Sequence, residues 1–147
     1  MSSPRRRAVL MQGAAAFAFS ALARAAVGAE RAATEAASER RWYEAALAMQ
    51  RVAVSNGDQP YGAVLVLDGA IVGYGPSRVV ALGDATAHAE REAIGDARRR
   101  LGGASLAGSV LYSTSRPCPA CENAAADARV ARMVHGPELR DAGVPRP

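Results

Sequence analysis

Two short motifs hold residues that could do chemistry: His88 and Glu90 in "TAHAERE", and Cys118 and Cys121 in "RPCPACE". On an ideal α-helix, residues two positions apart point about 200° away from each other. His88 and Glu90 can therefore act on one object only in the first turn of a helix, where side chains from different faces lean over its tip. The spacing predicts that a bound group lies at such a tip.

The two cysteines are three residues apart and so share one face of a helix. Pro119 directly follows Cys118, and proline is tolerated in the first turn, so the pair is predicted to open a helix. The partial positive charge of a helix N-terminus lowers the pKa of a thiol and favours the thiolate, which is the form that binds metal. In an exported protein, a disulfide or a redox pair is the alternative interpretation of this spacing.

Together the two motifs predict a zinc site. His88, Cys118 and Cys121 would give Zn²⁺ three protein ligands and leave the fourth tetrahedral position open, which is typical of catalytic sites. Glu90 would lie beside that position as the general acid and base. The chemistry that these four residues predict is hydrolytic deamination.

Helices and strands that position these motifs can be predicted from apolar periodicity and from turn residues. The order α-β-β-α-β-α-β indicates an α/β domain of two or three layers, in which a β-hairpin precedes parallel strands. A proline-rich tail after Gly136 is expected to lack regular structure. The predicted elements are a helix over 30–56, strands over 61–67 and 70–75 joined by Asp68-Gly69, a loop over 75–85, a helix from Thr86 as N-cap to Leu101, a strand over 109–114, a helix over 118–129 and a strand over 131–136.

Other conspicuous side chains have simpler interpretations. Trp42, Ala46, Met49 and Ala53 recur at helical spacing, which predicts one apolar face packed on the core. His135 is interpreted as a structural or surface residue of the last strand. The basic run "RRR" near Leu101 is interpreted as a solvated helix end, where cations favour the helix dipole.

The first 29 residues are predicted to be a signal peptide, because a basic cluster precedes an apolar run and then small residues. The run contains polar residues and is too short for a membrane anchor. Arg6-Arg7 followed by Ala-Val-Leu resembles a twin-arginine signal, which implies export to the periplasm or beyond of a chain that is already folded. Cleavage after Ala29 is favoured, although Ala23-Arg24-Ala25 also fits a cleavage site.

Charge then argues against a nucleic-acid partner. The full chain has a net charge of +4, but four of its 18 basic residues and none of its 14 acidic residues precede position 30. The remaining 14 basic residues balance the 14 acidic ones, whereas binding to nucleic acid depends on an excess of cations. Residues 30–147 have the size of one domain.

The motifs His88-Ala89-Glu90 and Pro117-Cys118-Pro119-Ala120-Cys121 match the H-x-E and P-C-x-x-C signature of zinc deaminases. The chain resembles the cytidine deaminase-like superfamily from about Trp42 to Gly136, and guanine and tRNA adenosine deaminases most of all. This resemblance implies the three-layer fold of that superfamily, the zinc ligands and proton shuttle given above, and a homodimer. It also implies that the backbones of Ala89 and Ala63 line the pocket for the base.

Two departures from those relatives concern the substrate. They carry an asparagine that contacts the base where this chain has Ser77, and a glutamate where it has Arg116. Guanine specificity is therefore not carried over, and the expected substrate is a small nucleobase or nucleoside. Two alternatives stay open: a deaminase-fold protein that binds without turnover, and an exported Cys-x-x-Cys redox protein.

Overall fold

The computed structural model describes the backbone of residues 10–147 and the side chains from residue 23 onward. The chain divides into two units, Met1–Ser38 and Glu39–Pro147. The predicted twin-arginine motif at Arg6-Arg7 lies outside the described residues. In chain order the elements are α1 (Leu10–Ser55), β1 (Gly62–Leu67), β2 (Ala70–Pro76), α2 (Val79–Leu82), α3 (Ala89–Arg100), β3 (Val110–Ser113), α4 (Pro119–Asp127), β4 (Arg132–His135) and β5 (Arg140–Gly143).

Helix α1 begins earlier than predicted. Its expected start at Glu30 is wrong, because the alanine-rich segment from Leu10 onward contains no proline and continues as one helix. The predicted end is correct, since the helix stops at Ser55 and Gly57 has a left-handed φ of 72°. The part of the chain that the structure describes contains no helix with the length and hydropathy of a membrane span.

The predicted β-hairpin is confirmed. Strands β1 and β2 pair antiparallel, with Leu67 opposite Ala70. Asp68 and Gly69 have φ values of 50° and 73°, and two left-handed residues in a two-residue loop are the mark of a type I′ turn. This turn matches the twist of the strands that it joins.

The five strands form one mixed sheet in the order β2-β1-β3-β4-β5. The prediction of parallel later strands is confirmed for β3 and β4, while β1 pairs antiparallel with β3. The prediction of an irregular tail is wrong, because residues 140–143 add strand β5 antiparallel to β4. No proline falls inside that short segment, and the Asp141 carboxylate accepts a hydrogen bond of 2.8 Å from Arg132 of β4.

Helices cover both faces of the sheet. Along β1, Ala63 and Leu65 pack in a cluster with α3 and α4, whereas Val64 and Val66 pack with Ala46 of α1. This alternation follows from the two-residue period of a strand. Trp42 and Met49 pack against the second cluster, and Ala46 and Ala53 are buried, so the predicted apolar face is confirmed. The result is the predicted three-layer α/β fold.

The connection between β2 and α3 differs from the predicted loop in two respects. Strand β2 extends to Pro76, and a short helix, α2, follows it. The predicted N-cap of α3 at Thr86 is also wrong, because His88 holds that place. The backbone N–H of Thr86 instead donates to the Asp84 carboxylate at 2.8 Å, so Thr86 belongs to a turn before the helix.

Strand β2 and helix α3 approach each other unusually closely. A Cβ atom at Gly73 would collide with the backbone of Ala93, and one at Gly75 would collide with that of Ala89. Only glycine leaves room for this contact. The two glycines therefore set the distance between the hairpin and the helix that begins at His88.

Candidate metal centre and adjoining pocket

The first turn of α3 holds His88 and Glu90. His88 is the N-cap in an extended conformation (φ −68°, ψ 152°), and its carbonyl oxygen accepts a 2.9 Å hydrogen bond from the N–H of Glu92. Glu90 is only 5% exposed. The two side chains therefore meet at the tip of the helix, as their spacing predicts.

Helix α4 begins in the same way. Cys118 is its N-cap, Pro119 occupies the first turn, and the Cys118 carbonyl accepts hydrogen bonds of 2.9 Å from the N–H groups of Cys121 and Glu122. Proline suits this position because the first N–H groups of a helix have no partner within it. Both cysteines are free thiols, and Cys121 is fully buried. The predicted helix start is confirmed.

The ligand atoms of the two helix tips lie together. One donor atom each from His88, Cys118 and Cys121 fall within 4.8 Å of one another. The Nδ1 atom of His88 is 3.6 Å from Sγ of Cys118 and 3.5 Å from Sγ of Cys121. For a tetrahedral zinc ion, the usual Zn–S and Zn–N bond lengths give an S···N edge of about 3.5–3.6 Å. The three residues are thus positioned as zinc ligands.

The electrostatics of the site favour a bound cation. Burial raises the pKa of Glu90, although hydrogen bonds and His88 partly oppose this effect. Burial, and next the charge of Glu90, raise the pKa of the Cys121 thiol, which lies 3.6 Å from a carboxylate oxygen of Glu90. The helix N-terminus therefore does not by itself produce the predicted thiolate at Cys121. A dication among the same atoms favours the charged form of both groups, so the donor set fits zinc.

A pocket of about 240 Å³ opens beside these ligands. Glu90 and Cys118 line its inner part, and Tyr61, 42% exposed, lies where it meets solvent. The volume is below the range of pockets for drug-sized ligands, which suits a ligand of one or two rings. Its lining residues are Gln59, Tyr61, His88, Ala89, Glu90, Ser115, Arg116 and Cys118.

Of the three predicted substrate contacts, only Ala89 lines the pocket. Ala89 lines the pocket, whereas Ala63 is fully buried within β1 and is not among the lining residues. Ser77 is 2% exposed, and its hydroxyl donates a 2.9 Å hydrogen bond to the Asp58 carboxylate. Contacts of Ala63 and Ser77 with a bound base stay predictions.

Asp58 is a residue that the sequence analysis missed. Its carboxylate accepts hydrogen bonds from the N–H groups of Gln59, Val80 and Ala81 as well as from Ser77. Burial alone would raise the pKa of Asp58, but these hydrogen bonds outweigh it and lower the pKa. The carboxylate thereby joins the segment that carries Gln59 to helix α2.

Gln59, Tyr61 and Ser115 were missed as well, and Arg116 was noted only as a departure from relatives. One signal could have found Ser115 and Arg116: both follow the carboxyl end of β3, where ligands bind in α/β sheets. Gln59 and Tyr61 lie in the segment before β1 and have no such signal. His135 is half-buried, which is compatible with its interpretation as a structural or surface residue.

Known proteins are similar to this chain over most of its length. Residues 36–136 match the family described as the cytidine and deoxycytidylate deaminase zinc-binding region. A tRNA-specific adenosine deaminase of Buchnera aphidicola is 37% identical over 100 residues, which cover 68% of this chain and 66% of the relative. A guanine deaminase of Bacillus subtilis is 42% identical over 83 residues, which cover 56% and 53%. The chain thus spans less than two thirds of these curated relatives.

Solved structures give the same result. A tRNA:A34 deaminase studied for A-to-I editing has a TM-score of 0.62 and 41% identity, covering 65% of this chain and 70% of its own. The guanine deaminase of Bacillus subtilis has a TM-score of 0.61 and 36% identity, covering 65% and 62%. The predicted fold is confirmed. The expectation that nucleic acid is not a partner conflicts with the relatives that are named for tRNA.

Proposed function

Since this chain belongs to the cytidine and deoxycytidylate deaminase zinc-binding family, we propose that it is a zinc-dependent hydrolase that releases ammonia from a small nucleobase or nucleoside. One observation carries the proposal: the buried carboxyl group of Glu90 lines a small pocket directly beside the three zinc ligands. A purely structural zinc site needs neither the pocket nor the carboxyl group.

Glu90 acts as the proton shuttle in this proposal. Zinc, when bound by His88, Cys118 and Cys121, lowers the pKa of water and so supplies a nucleophile near neutral pH. Burial raises the pKa of the Glu90 carboxyl group and a bound zinc ion would favour its charged form, so the two effects oppose each other at a group that must both accept and return a proton. It accepts the proton of the attacking water and later delivers one to the leaving amino group. Ala89, next to it, contributes backbone to the wall of the pocket.

The size of the pocket supports a small substrate. A volume of about 240 Å³ holds a base with little room beyond it, and residues 30–147 have no excess of cations. Deamination of an adenosine within tRNA is the second candidate, which the names of the relatives favour. The two candidates differ in whether a free base or nucleoside is sufficient as substrate.

One assay separates the candidates. Zinc-loaded protein is incubated with a panel of purine and pyrimidine bases and nucleosides and, separately, with tRNA, and ammonia is measured. Release from a free base or nucleoside supports the proposal, and release from tRNA alone supports the second candidate. The variant Glu90→Gln serves as the control, because ammonia that it also releases does not come from this site.

The alternatives of other classes predict different results. A deaminase-fold binding protein would hold zinc and bind members of the panel without releasing ammonia. A redox protein would contain a Cys118–Cys121 disulfide and no zinc in fresh preparations. Metal analysis together with thiol counting distinguishes the redox protein, and the ammonia assay distinguishes the binding protein.

We also propose that residues 1–29 form a twin-arginine signal peptide and that the domain over 30–147 acts in the periplasm or outside the cell. The support is the basic pair Arg6-Arg7, the apolar run after it and the small residues that end at Ala29. Replacement of both arginines by lysine is expected to retain the precursor in the cytoplasm. Unchanged export of that variant would contradict the assignment.

Resemblance to the family further supports a homodimer as the working form, which we propose without a specific interface. Light scattering after size exclusion of the mature chain should give twice the mass of one chain. A monomeric mass at micromolar concentration would contradict it.

A further inference from the structure

The segment 114–117 leads from the end of β3 to the N-cap of α4 and carries part of the pocket wall. Ser113 is the last residue of β3, and Cys118 opens the helix. Between them, Ser115 and Arg116 line the pocket. The path of these four residues therefore determines where the Sγ atom of Cys118 lies relative to the other zinc ligands.

One buried side chain holds the middle of this segment. Ser113 is 1% exposed, and its hydroxyl donates a hydrogen bond of 2.7 Å to the carbonyl oxygen of Ser115. The bond joins a side chain that is fixed in the sheet to a backbone group two residues further along the chain. Serine hydroxyls that bond to nearby backbone groups in this way direct the chain out of regular structure.

Other hydrogen bonds anchor only the first residue of the segment. The N–H of Thr114 donates to the carbonyl oxygen of Gly62 at 3.0 Å, and its hydroxyl accepts from the Gly62 N–H at 3.1 Å. Within the described part of the chain, the bond from Ser113 is the one hydrogen bond that residues 115–117 make. Its loss would leave three consecutive residues before Cys118 held by packing alone.

Ser109 provides an internal comparison for Ser113. It directly precedes β3, four residues before Ser113, and both serines are buried. The hydroxyl of Ser109, however, has no hydrogen-bond partner among the residues that the structure describes. The two serines thus share residue type, strand and burial, but only Ser113 bonds to the segment that precedes Cys118.

We propose that Ser113 is a positioning residue for the zinc site, which acts on Cys118 through the carbonyl group of Ser115. Groups that orient a metal ligand without binding the metal typically contribute 10- to 100-fold to metal affinity. Cys118 depends on this support because it lies at the very start of α4, whereas Cys121 is buried within the helix. The inference rests on the zinc site of the proposed function and adds a residue that neither binds the metal nor lines the pocket.

The first test measures zinc affinity by competition with a chelator for the unchanged protein, Ser113→Ala and Ser109→Ala. We expect Ser113→Ala to bind zinc about 10-fold more weakly. Ser109→Ala is the matched control, because it also removes one hydroxyl from a buried serine of the same strand. Its zinc affinity should stay unchanged.

The second test needs no metal. Metal-free protein is treated with an alkylating reagent, and mass spectrometry follows the reaction of each cysteine. Cys118 is partly exposed and lines the pocket, whereas Cys121 is buried. Ser113→Ala should react faster at Cys118 and at an unchanged rate at Cys121, because only the start of the helix is loosened. A general loss of stability would instead accelerate both reactions.

Three outcomes would each overturn the inference: unchanged zinc affinity in Ser113→Ala, equal weakening in Ser109→Ala, or faster alkylation of both cysteines. If zinc binds but no compound releases ammonia, the proposed function fails and the role of Ser113 stands. If no form of the protein binds zinc, the proposed function fails, and the alkylation rates still decide whether Ser113 positions Cys118. The failures are therefore distinguishable.

Discussion

The inner part of the pocket and its rim are built in different ways. His88, Glu90 and Cys118 form the inner part, with the buried Cys121 in contact with them, and each of the four lies at the start of a helix that packs on the sheet. The rim consists of Gln59, Tyr61, Ser115 and Arg116, which lie in segments that lead into or out of strands. The inner part is fixed by local helix starts, whereas the segment that carries Gln59 is held by hydrogen bonds of the Asp58 side chain to Ser77 and to helix α2. We infer that the inner part sets the reaction and the rim sets the substrate.

Loss of a zinc ligand should have the largest effect. Replacement His88→Ala removes one of three protein ligands, so the zinc content is expected to fall from about one ion per chain to near zero and activity to background. Metal analysis and thermal unfolding measure the two consequences. A fully metallated His88→Ala protein would show that His88 is not a ligand.

Replacement of Glu90, the proposed proton shuttle, should separate chemistry from metal binding. General acid–base groups contribute roughly 10²–10⁴-fold to rate, so Glu90→Gln should lose that much in kcat while it remains folded and keeps its zinc. Metal content and kcat on an established substrate are the two readouts, with His88→Ala as the opposite case. Zinc loss in Glu90→Gln, or near-normal turnover, would show that the assigned role is wrong.

Much of the inner part could be predicted from sequence because its determinants are local. His88 and Glu90 are two positions apart, so they can share a site only at the start of a helix. Proline after Cys118 is typical of a first helical turn. Both signals depend on neighbouring residues alone. The rim could not be predicted, because Tyr61 and Arg116 line the same pocket only once distant segments have paired in the sheet. The surroundings of Cys121 could not be predicted for the same reason, since Glu90, whose charge contributes to the raised pKa of the thiol, belongs to another helix.

Helices and strands were likewise predictable where neighbouring residues determine them, and not where a distant partner does. Asp68-Gly69 predicts its hairpin because turn geometry depends on those two residues alone. Strand β5 could not be predicted, since its partner is the edge of β4 and its sequence, "RDAG", has no strand pattern. The early start of α1 was missed because a signal peptide and a helix have similar alanine-rich compositions.

The support of the rim should depend on pH through Asp58. Its folded-state pKa is lowered, so the carboxylate stabilises the fold above the pKa of the unfolded chain, about 4, and this contribution is lost as pH falls through the folded-state value. Replacement Asp58→Asn should therefore lower the melting temperature at pH 7, and this deficit should be smaller at pH 3. Thermal unfolding at both pH values measures this. A deficit of equal size at pH 3 would mean that charge is not the cause.

Ser77→Ala should have the smallest effect. The variant loses the hydrogen bond from the Ser77 hydroxyl to Asp58, which retains three backbone donors, so the melting temperature is expected to fall by about 4 °C and KM to stay unchanged. Unfolding curves and KM on an established substrate provide the check. A raised KM at unchanged stability would instead support the base contact that resemblance to relatives implies at this position.

The close approach of β2 to α3 has a consequence for laboratory evolution of this protein. Any side chain at Gly73 or Gly75 would push α3 away from the hairpin and carry His88 and Glu90 out of place with it. Selection for a new substrate should then leave both glycines unchanged in every surviving clone and collect mutations at Tyr61, Ser115 and Arg116. A deep mutational library would therefore show two intolerant positions that never touch the ligand.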